Sequence, residues 1–398
     1  MKKIMIIGAN WEQEPLLQKA REMKLYVIAT NPYPGAEGFK FSDESYVVNP
    51  RDLNGIEAVF KKTQPNAVIA DECDYSMFAV AYLTNKYSLP GPRMDSLIIT
   101  CNKYLERKFA EKGGIPQPKY RLCMTYSQVV EAARKIGFPA IIKPIDNRGS
   151  IGVCRIDSED KLENSFYAAI ADSHARQVLI EEYIEGDIQV NMEGIYADKF
   201  YNLTFSDKKK YPGACVDMHL HYPGDLPEAL LKKLHILNEK LVEAIGIDYG
   251  LVHTEFIVKK SQPYLLEIHN RGAGINVSNK IVRAVTGIDT SEVLINYSLG
   301  KKVTLKHYSS KKYSVLHFFD FGRGVVSEIS GIDSLRKREE VLTLWINFKP
   351  GDCLHDIANG PGRHGCVIVA ADTLDKGNSL VEEVKNTIKI KFKRPQSN

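Results

Sequence analysis

The first hundred residues alternate short apolar segments with longer amphipathic ones. Such alternation predicts a parallel sheet with helices on both faces. Residues 8–13, GANWEQ, lack the later glycines of a GxGxxG fingerprint, which disfavours a dinucleotide dehydrogenase. The predicted strands are residues 3–9, 25–31 and 66–72, and the predicted helices are residues 12–24, 53–64 and 77–87.

A change in composition follows at residues 89–96, LPGPRMDS, where two prolines and a glycine indicate a boundary. One helix is predicted over residues 97–113, and an α+β stretch then continues to about residue 300. The remainder has alternating strands and a last helix, typical of a small α+β closing domain. The predicted domains are therefore residues 1–96, 97–300 and 301–398.

Composition limits the class of protein. A chain of 398 residues is long enough for two or three subdomains, and its net charge of +4 is too small to indicate nucleic-acid binding. No segment approaches the roughly 20 apolar residues that span a bilayer. The seven cysteines are scattered without a metal-binding spacing, which suggests reduced thiols. We expect a soluble, cytoplasmic protein without nucleic-acid or membrane partners.

Residues 137–153, GFPAIIKPIDNRGSIGV, combine a lysine with a glycine-rich turn. An apolar strand ends near Lys143, and Gly149 and Gly152 bracket Ser150. Glycines let backbone N–H groups approach an anion, and the lysine adds positive charge. A Walker A loop is absent, and a hairpin with a solvated lysine is an equally good explanation of this stretch alone.

Residues 178–195 run from an apolar strand into a polar turn. The segment Glu181, Glu182, Tyr183 and Ile184 can present backbone groups to an adenine edge and a carboxylate to ribose hydroxyls, and Gln189 follows on the next strand. Taken alone, a two-stranded meander with a polar outer face explains this pattern better.

A predicted hairpin over residues 253–274 carries one glutamate on each strand. Glu255 and Glu267 would repel one another unless a cation lay between them. Mg²⁺ is usually held by one or two carboxylates together with phosphates, and the fork of Arg271 matches a phosphoryl group. Solvated acids with a surface ion pair are the alternative, but they leave the Arg-Gly-Ala-Gly run unexplained.

Together and in this order, the three stretches resemble the ATP-grasp superfamily, in particular the carboxylate–amine ligase type. The chain is similar over nearly its whole length to L-amino-acid ligases, biotin carboxylase and phosphoribosylglycinamide synthetase. The resemblance implies an N-terminal open parallel-sheet (pre-ATP-grasp) domain, a two-lobed α+β ATP-grasp domain with a lid at about residues 120–190, and a small C-terminal α+β domain.

The resemblance also implies roles for individual residues. Glu255 and Glu267 would hold Mg²⁺ or Mn²⁺, while Lys143 and Arg271 would act on the phosphoryl group. The third metal ligand of the family is an Asn, but His269 stands there and Asn270 follows. Strand alternation turns His269 to the side of Glu267, and Asn270 is assigned as the third metal ligand on the expectation that the strand has ended before it. The implied ATP contacts are Lys103, Lys143, Gly149, Ser150, Gly152, Glu181, Glu182, Tyr183, Ile184 and Gln189.

Four histidines are candidate substrate contacts. His253 lies in an HTEF segment that resembles L-amino-acid ligases, although a strand histidine satisfied by its neighbours fits as well. His269 is the second candidate. His219 and His221 lie on one face of a predicted strand; their spacing suggests a metal, but the sequence offers no third ligand.

The implied reaction is transfer of a phosphoryl group from ATP to a carboxylate, followed by attack of an amine on the acyl phosphate. Small-molecule acid and amine substrates are expected, and relatives suggest a homodimer. The first alternative is a purine-pathway enzyme of the phosphoribosylglycinamide synthetase or carboxyaminoimidazole ribonucleotide synthetase type. A biotin-carboxylase-like module and a non-catalytic ATP-binding protein are further alternatives.

Overall fold

The computed structural model of the chain describes residues 1–211, 216–305 and 312–393. Its N-terminal part is a parallel sheet of β1 (Lys3–Ile7), β2 (Tyr26–Asn31), β3 (Glu44–Val47) and β4 (Ala67–Ile69), in the order β3-β2-β1-β4. Met5 faces one apolar cluster and Ile6 the other, so both faces of β1 are buried. The predicted parallel sheet is confirmed. The surrounding helices are α1 (Glu14–Glu22), α2 (Leu53–Thr63) and α3 (Asp74–Lys86), with a 3₁₀ turn at Glu37–Phe41.

The single helix predicted over residues 97–113 is in fact two helices, α4 (Met94–Thr100) and α5 (Lys103–Lys112). The break occurs because the Asn102 side chain accepts hydrogen bonds from the backbone N–H groups of Tyr104 and Leu105, which makes it an N-cap. Lys103 therefore opens a new helix and its backbone N–H bonds to the carbonyl of Ile145, 2.8 Å away.

A small antiparallel sheet follows, with α6 (Tyr126–Ile136) and α7 (Leu162–Ala171) packed against it around an apolar core. We call this unit the lid. Its strands are β5 (Tyr120–Cys123), β6 (Ala140–Pro144), β7 (Cys154–Ile156) and β8 (Val178–Glu182), in the order β5-β8-β6-β7.

An eight-stranded antiparallel sheet is the centre of the molecule, and α8 (Glu228–Ile245) packs against it through Leu234 and Leu241. Three of its strands come from after residue 312, so the predicted boundary at residue 300 does not separate two sheets; the domain division stays a prediction. In spatial order the strands are β13 (Gln262–His269), β12 (Gly250–Lys259), β9 (Ile188–Tyr196), β10 (Phe200–Lys210), β11 (Asp217–Tyr222), β14 (Tyr313–Phe318), β18 (Gly365–Ala371) and β16 (Val341–Ile346).

The remaining elements surround this sheet. A π-helical turn at Val277–Ile281 leads into the short helix α9 (Val282–Thr286), and α12 (Leu374–Thr387) packs across β14 and β18. Within the described residues, no helix is long and apolar enough to cross a membrane. The other elements are α9 (Val282–Thr286), α10 (Thr290–Ser298), α11 (Ile332–Leu335), α12 (Leu374–Thr387), and a small sheet of β15 (Gly324–Ser330), β17 (Cys353–Leu354) and β19 (Lys389–Phe392).

Six cysteines lie in the described parts of the chain, and no disulfide joins any two of them. Cys215, the seventh of the scattered cysteines, lies outside the described residues.

Candidate active site

A cleft of about 350 Å³ lies between the lid and the large sheet. Lid strands β6 and β8 form one wall, and strands β9, β10, β12 and β13 form the other. Fourteen of the eighteen predicted site residues line this one cavity, whereas Gly152, Asn270, His219 and His221 are not among its lining residues. Those that line it are Lys103, Lys143, Gly149, Ser150, Glu181, Glu182, Tyr183, Ile184, Gln189, His253, Glu255, Glu267, His269 and Arg271.

The two glutamates of the hairpin are direct neighbours, because Glu255 on β12 pairs in register with Glu267 on β13. Each carboxylate has its own lysine: Lys208 donates to Glu255, and Lys103 donates to Glu267 at 2.7 Å. Burial alone would raise the pKa of both carboxyl groups, but the lysine charges outweigh it and hold each pKa below its usual range. Both groups are therefore ionised at neutral pH.

Lys208 is a site residue that the sequence did not reveal. Its side chain is only 1% exposed and bridges Glu255 and Asp217, whose Oδ2 lies 3.2 Å from the lysine Nζ. It occurs in the run Asp207–Lys210, which has the composition of a solvated charge run. Strand alternation along β10 turns Lys208 inward to the cleft.

His253 lies two residues before Glu255 on β12 and therefore on the same face. Its Nδ1 is 3.0 Å from Oε1 of Glu193, and its Nε2 is 3.4 Å from Oε1 of Glu255. Burial by itself would lower the pKa of His253, but the two carboxylates raise it to about 10. His253 is thus an imidazolium at neutral pH, and Glu193, which the sequence did not single out, is its counter-ion.

Glu181 has a different environment from the one implied by an adenine contact. Its carboxylate is 3% exposed and is held by Arg107, at 2.7 and 3.2 Å, and by Lys143 at 2.7 Å. Although burial opposes ionisation, these two cations lower the pKa of Glu181 to about 2. The side chain therefore orients Lys143 and is not available for the contact with ribose hydroxyls that was expected of it.

Arg107 connects three parts of the molecule. It begins on α5, pairs with Glu181 on β8 of the lid, and donates to the backbone carbonyl of Leu266 on β13 at 2.7 Å. The side chain is fully buried. Its role is not visible in the sequence, because Arg107 stands in the charged helix segment LERKFAEK, where exposure is the ordinary expectation.

Two polar side chains that line the cleft are not satisfied. Within the described residues, Oε1 of Gln189 and Oδ1 of Asn191 are buried without a hydrogen-bond partner. Buried acceptors of this kind usually bond to protein or to a bound molecule. Tyr183 and Ile184 line the same cavity, and the Arg155 guanidinium lies over the Tyr183 ring at 4.3 Å.

The glycine-rich turn lies across the cleft opening. The Gly149 carbonyl accepts a hydrogen bond from the Gly360 N–H at 2.9 Å, and the Arg148 guanidinium lies 4.8 Å from the Tyr75 ring. Gly152 has a φ of +72°, and a Cβ there would lie 2.8 Å from Pro144, so a side chain is disfavoured. Gly152 shapes this turn and does not contact the cavity.

The residues after Glu267 face alternate sides, as strand alternation predicts. His269 stays on the cleft side, with Nε2 3.8 Å from Oε2 of Glu267, and Arg271 lines the cleft while its Nε donates to Asp74 at 2.5 Å.

Asn270 faces away: its amide donates to the carbonyls of Tyr249 and Leu251 and accepts from Ser96. The assignment of Asn270 as a metal ligand does not fit this geometry.

His219 and His221 also face away from the cleft. They alternate along β11 with Leu220 and Tyr222, which line it, so the two imidazoles lie on the opposite face of the sheet. Their assignment as substrate contacts is therefore wrong for this geometry. The sequence predicted correctly that they share a face but not which face.

A further cation, Arg363, enters the cleft from the C-terminal part of the chain. Arg363 donates from a terminal nitrogen to the Asp217 carbonyl at 3.0 Å, and its guanidinium lies 3.6 Å from the Phe318 ring. Within the described residues its Nε is buried without a hydrogen-bond partner. Tyr222, Leu316 and Phe318 form an apolar wall beside it. This corner can accept an anion with an apolar substituent.

Comparison with known proteins agrees with this architecture. Residues 136–279 match an ATP-grasp domain, and residues 317–393 match L-amino acid ligase C-terminal domain 2. The crystal structure of L-amino acid ligase from Bacillus licheniformis superposes with a TM-score of 0.86 at 19% sequence identity, covering 99% of each chain.

Two curated relatives carry a different name. Formate-dependent phosphoribosylglycinamide formyltransferase of Wolinella succinogenes is 26% identical over 68% of this chain and 70% of its own length. The enzyme of that name from Methanocaldococcus jannaschii is 22% identical over 98% of this chain and 97% of its own length. The predicted resemblance to the ATP-grasp superfamily is confirmed by the ATP-grasp domain that residues 136–279 match, and these similarities indicate an ATP-dependent ligase.

Replacing Arg107 with methionine tests the buried ion pair. R107M leaves Glu181 charged and unpaired on one side, so we expect a loss of about 3–5 kcal/mol in the free energy of unfolding. Urea denaturation measures it. K108M is the matched control, since Lys108 is 49% exposed and pairs only at the surface. Equal stability of the two variants would contradict the structural role assigned to Arg107.

Proposed function

We propose that the protein is a carboxylate–amine ligase. A carboxylate oxygen of the acid attacks the γ-phosphorus of ATP, the bond to the bridging oxygen breaks, and ADP leaves. The amine nitrogen then attacks the acyl carbon, inorganic phosphate leaves, and the nitrogen loses a proton as the amide forms. One observation carries the proposal: Glu255, Glu267, Lys103, Lys143 and Arg271 line a single cleft.

The donor set in this cleft suits a hard divalent cation. Glu255 and Glu267 are adjacent and ionised; Lys103 contacts Oε2 of Glu267, while Lys208 and His253 contact different oxygens of Glu255. Mg²⁺, or Mn²⁺ in its place, would be held by these two carboxylates together with phosphate oxygens. When bound, the metal would screen the negative charge of the phosphates. His269 lies close by, but imidazole is a poorer ligand for Mg²⁺ than oxygen.

Three cations of the chain are assigned to the phosphates. Lys103 and Lys143 would contact them from opposite walls of the cleft, and Arg271 would bind the transferring group with its fork. Lys143 suits this role because Glu181 fixes its position. Burial lowers its pKa by removing water from the ammonium group, and a phosphate oxygen would replace part of that lost stabilisation. The turn at Gly149–Gly152 would exclude water from the acyl phosphate.

The acid substrate is assigned to the corner at Arg363. Its unsatisfied Nε and its position over Phe318 favour a carboxylate or other anion, and Tyr222, Leu316 and Phe318 offer an apolar surface to a side chain. His253 and Glu193 lie nearby as a charged pair that can position a substrate amine or carboxylate. An amino acid has both features and is the substrate class that we favour.

The second candidate is formylation of phosphoribosylglycinamide, which is the activity named for the two curated relatives. It uses the same two-step chemistry with formate as the acid. The match of residues 317–393 to an L-amino acid ligase domain and the apolar wall both favour the first candidate. ADP release measured with paired amino acids, and with formate plus phosphoribosylglycinamide, separates the two: the substrate set that stimulates ADP formation identifies the function.

Binding of ATP with Mg²⁺ should raise the melting temperature. At about 100 times Kd the nucleotide adds about 2.7 kcal/mol of stability.

E267Q removes one metal ligand and should abolish ADP formation while the fold, followed by circular dichroism, stays intact. E243Q changes an exposed glutamate of α8 and serves as the control. Undiminished turnover by E267Q would show that the metal is assigned to the wrong residues.

Replacing Arg363 with methionine should affect the acid substrate and not the nucleotide. R363M keeps much of the apolar contact with Phe318 but loses the charge, so KM for the acid should rise at least about tenfold, a loss of about 1.4 kcal/mol. The melting shift with ATP should persist. Initial-rate kinetics check the first expectation and thermal denaturation the second. A raised KM for ATP with an unchanged KM for the acid would contradict this assignment.

A further inference from the structure

The back face of the large sheet carries a cluster of histidines that the proposed reaction does not use. His219 and His221 on β11 lie side by side there, and Asn378 of α12 reaches them from the covering helix. His317 on β14 is the next ring along, with Nδ1 3.1 Å from Nδ1 of His219. These residues lie directly behind Leu220 and Leu316, which face the cleft.

Three polar atoms of this cluster converge on one point. The Nε2 atoms of His219 and His221 are 2.9 Å apart, and each is 3.1 Å from Oδ1 of Asn378. Ligands at about 2.0–2.1 Å from one metal ion are separated by roughly 2.9–3.4 Å in octahedral or tetrahedral geometry. The three atoms thus have the spacing of one coordination face.

Both imidazole rings are also held in position through their Nδ1 atoms. Nδ1 of His221 lies 2.9 Å from Oδ1 of Asp207, and Nδ1 of His219 faces His317. A partner on the outer nitrogen, often a carboxylate, fixes the ring of a metal-binding histidine and directs its other nitrogen to the ion. Here the outer partners direct both Nε2 atoms toward Asn378.

The third ligand depends on close packing of α12 against the sheet. Gly377 precedes Asn378, and a Cβ at Gly377 would lie 2.8 Å from Cγ2 of Val315 on β14. Because Gly377 has no side chain, α12 can approach the sheet closely enough for the Asn378 amide to reach the histidines. Among the described residues, no third His, Cys, Asp or Glu side chain joins the two Nε2 atoms at this point, and the third polar atom there is Oδ1 of Asn378.

We propose that His219, His221 and Asn378 form a binding site for a divalent transition-metal ion. Imidazole nitrogens favour Zn²⁺, Co²⁺ or Ni²⁺ over Mg²⁺. The ion would link β11 to α12 across the back of the sheet and stabilise the strands whose front face carries the apolar wall of the cleft. Water or other small ligands would complete its coordination.

Metal titration of the full-length chain tests the proposal. The protein is stripped with a chelator and titrated at one fixed, mildly alkaline pH, without nucleotide, with Zn²⁺ by calorimetry and with Co²⁺ by visible absorption. We expect saturable binding of one ion and a higher melting temperature. D207N should weaken binding by about 10- to 100-fold, and H219A or H221A by more than that.

Two further variants make the result decisive. N378D replaces the amide with a charged oxygen on the surface of α12 and should tighten binding. E267Q should leave the Zn²⁺ affinity unchanged, which separates this site from the cleft carboxylates, and H174A, at an exposed lid histidine, is the matched control. Absence of saturable binding would mean that the two rings share only a proton. Binding that survives both H219A and H221A would mean that the ion binds elsewhere. Either result would overturn the proposal.

Discussion

The site depends on the compensation of two buried carboxylates by two buried lysines. Glu255 and Glu267 are forced together by the register of β12 and β13, and their mutual repulsion would protonate one of them if nothing opposed it. Lys208 from β10 and Lys103 from α5 oppose it from different directions. Both carboxylates of the hairpin therefore stay ionised, although they are too deeply buried for water alone to stabilise their charges.

The same principle of paired charges extends through the cleft. Arg107 and Lys143 hold Glu181, His253 lies between Glu193 and Glu255, and Asp74 holds Arg271. Each pair fixes a side chain that would otherwise be flexible, so the site is organised before a nucleotide arrives. Because the pairs connect the N-terminal sheet, the lid and the large sheet, the ion pairs also fix the relative positions of these units.

The N-terminal parallel sheet and the carboxylate hairpin could be predicted from sequence because their signals are local, whereas the two-lobed fold and most of the nucleotide contacts were implied by the resemblance to the ATP-grasp superfamily. Strand spacing and turn residues were enough to bring Glu255 and Glu267 together, and alternation was enough to turn His269 inward. Lys208, Arg107 and Arg363 were missed because each stands among charged neighbours, and only long-range contacts bury it. The face on which His219 and His221 lie was likewise decided by the pairing of β11 with β10 and β14.

The most direct measurement is a crystal structure with a non-hydrolysable ATP analogue and Mn²⁺, whose anomalous signal locates the metal. The charge arrangement predicts a peak within coordination distance of both Glu255 and Glu267, with the phosphates between Lys103 and Lys143 and the base near Tyr183. A nucleotide bound elsewhere, or a metal peak that contacts neither glutamate, would contradict this account of the site.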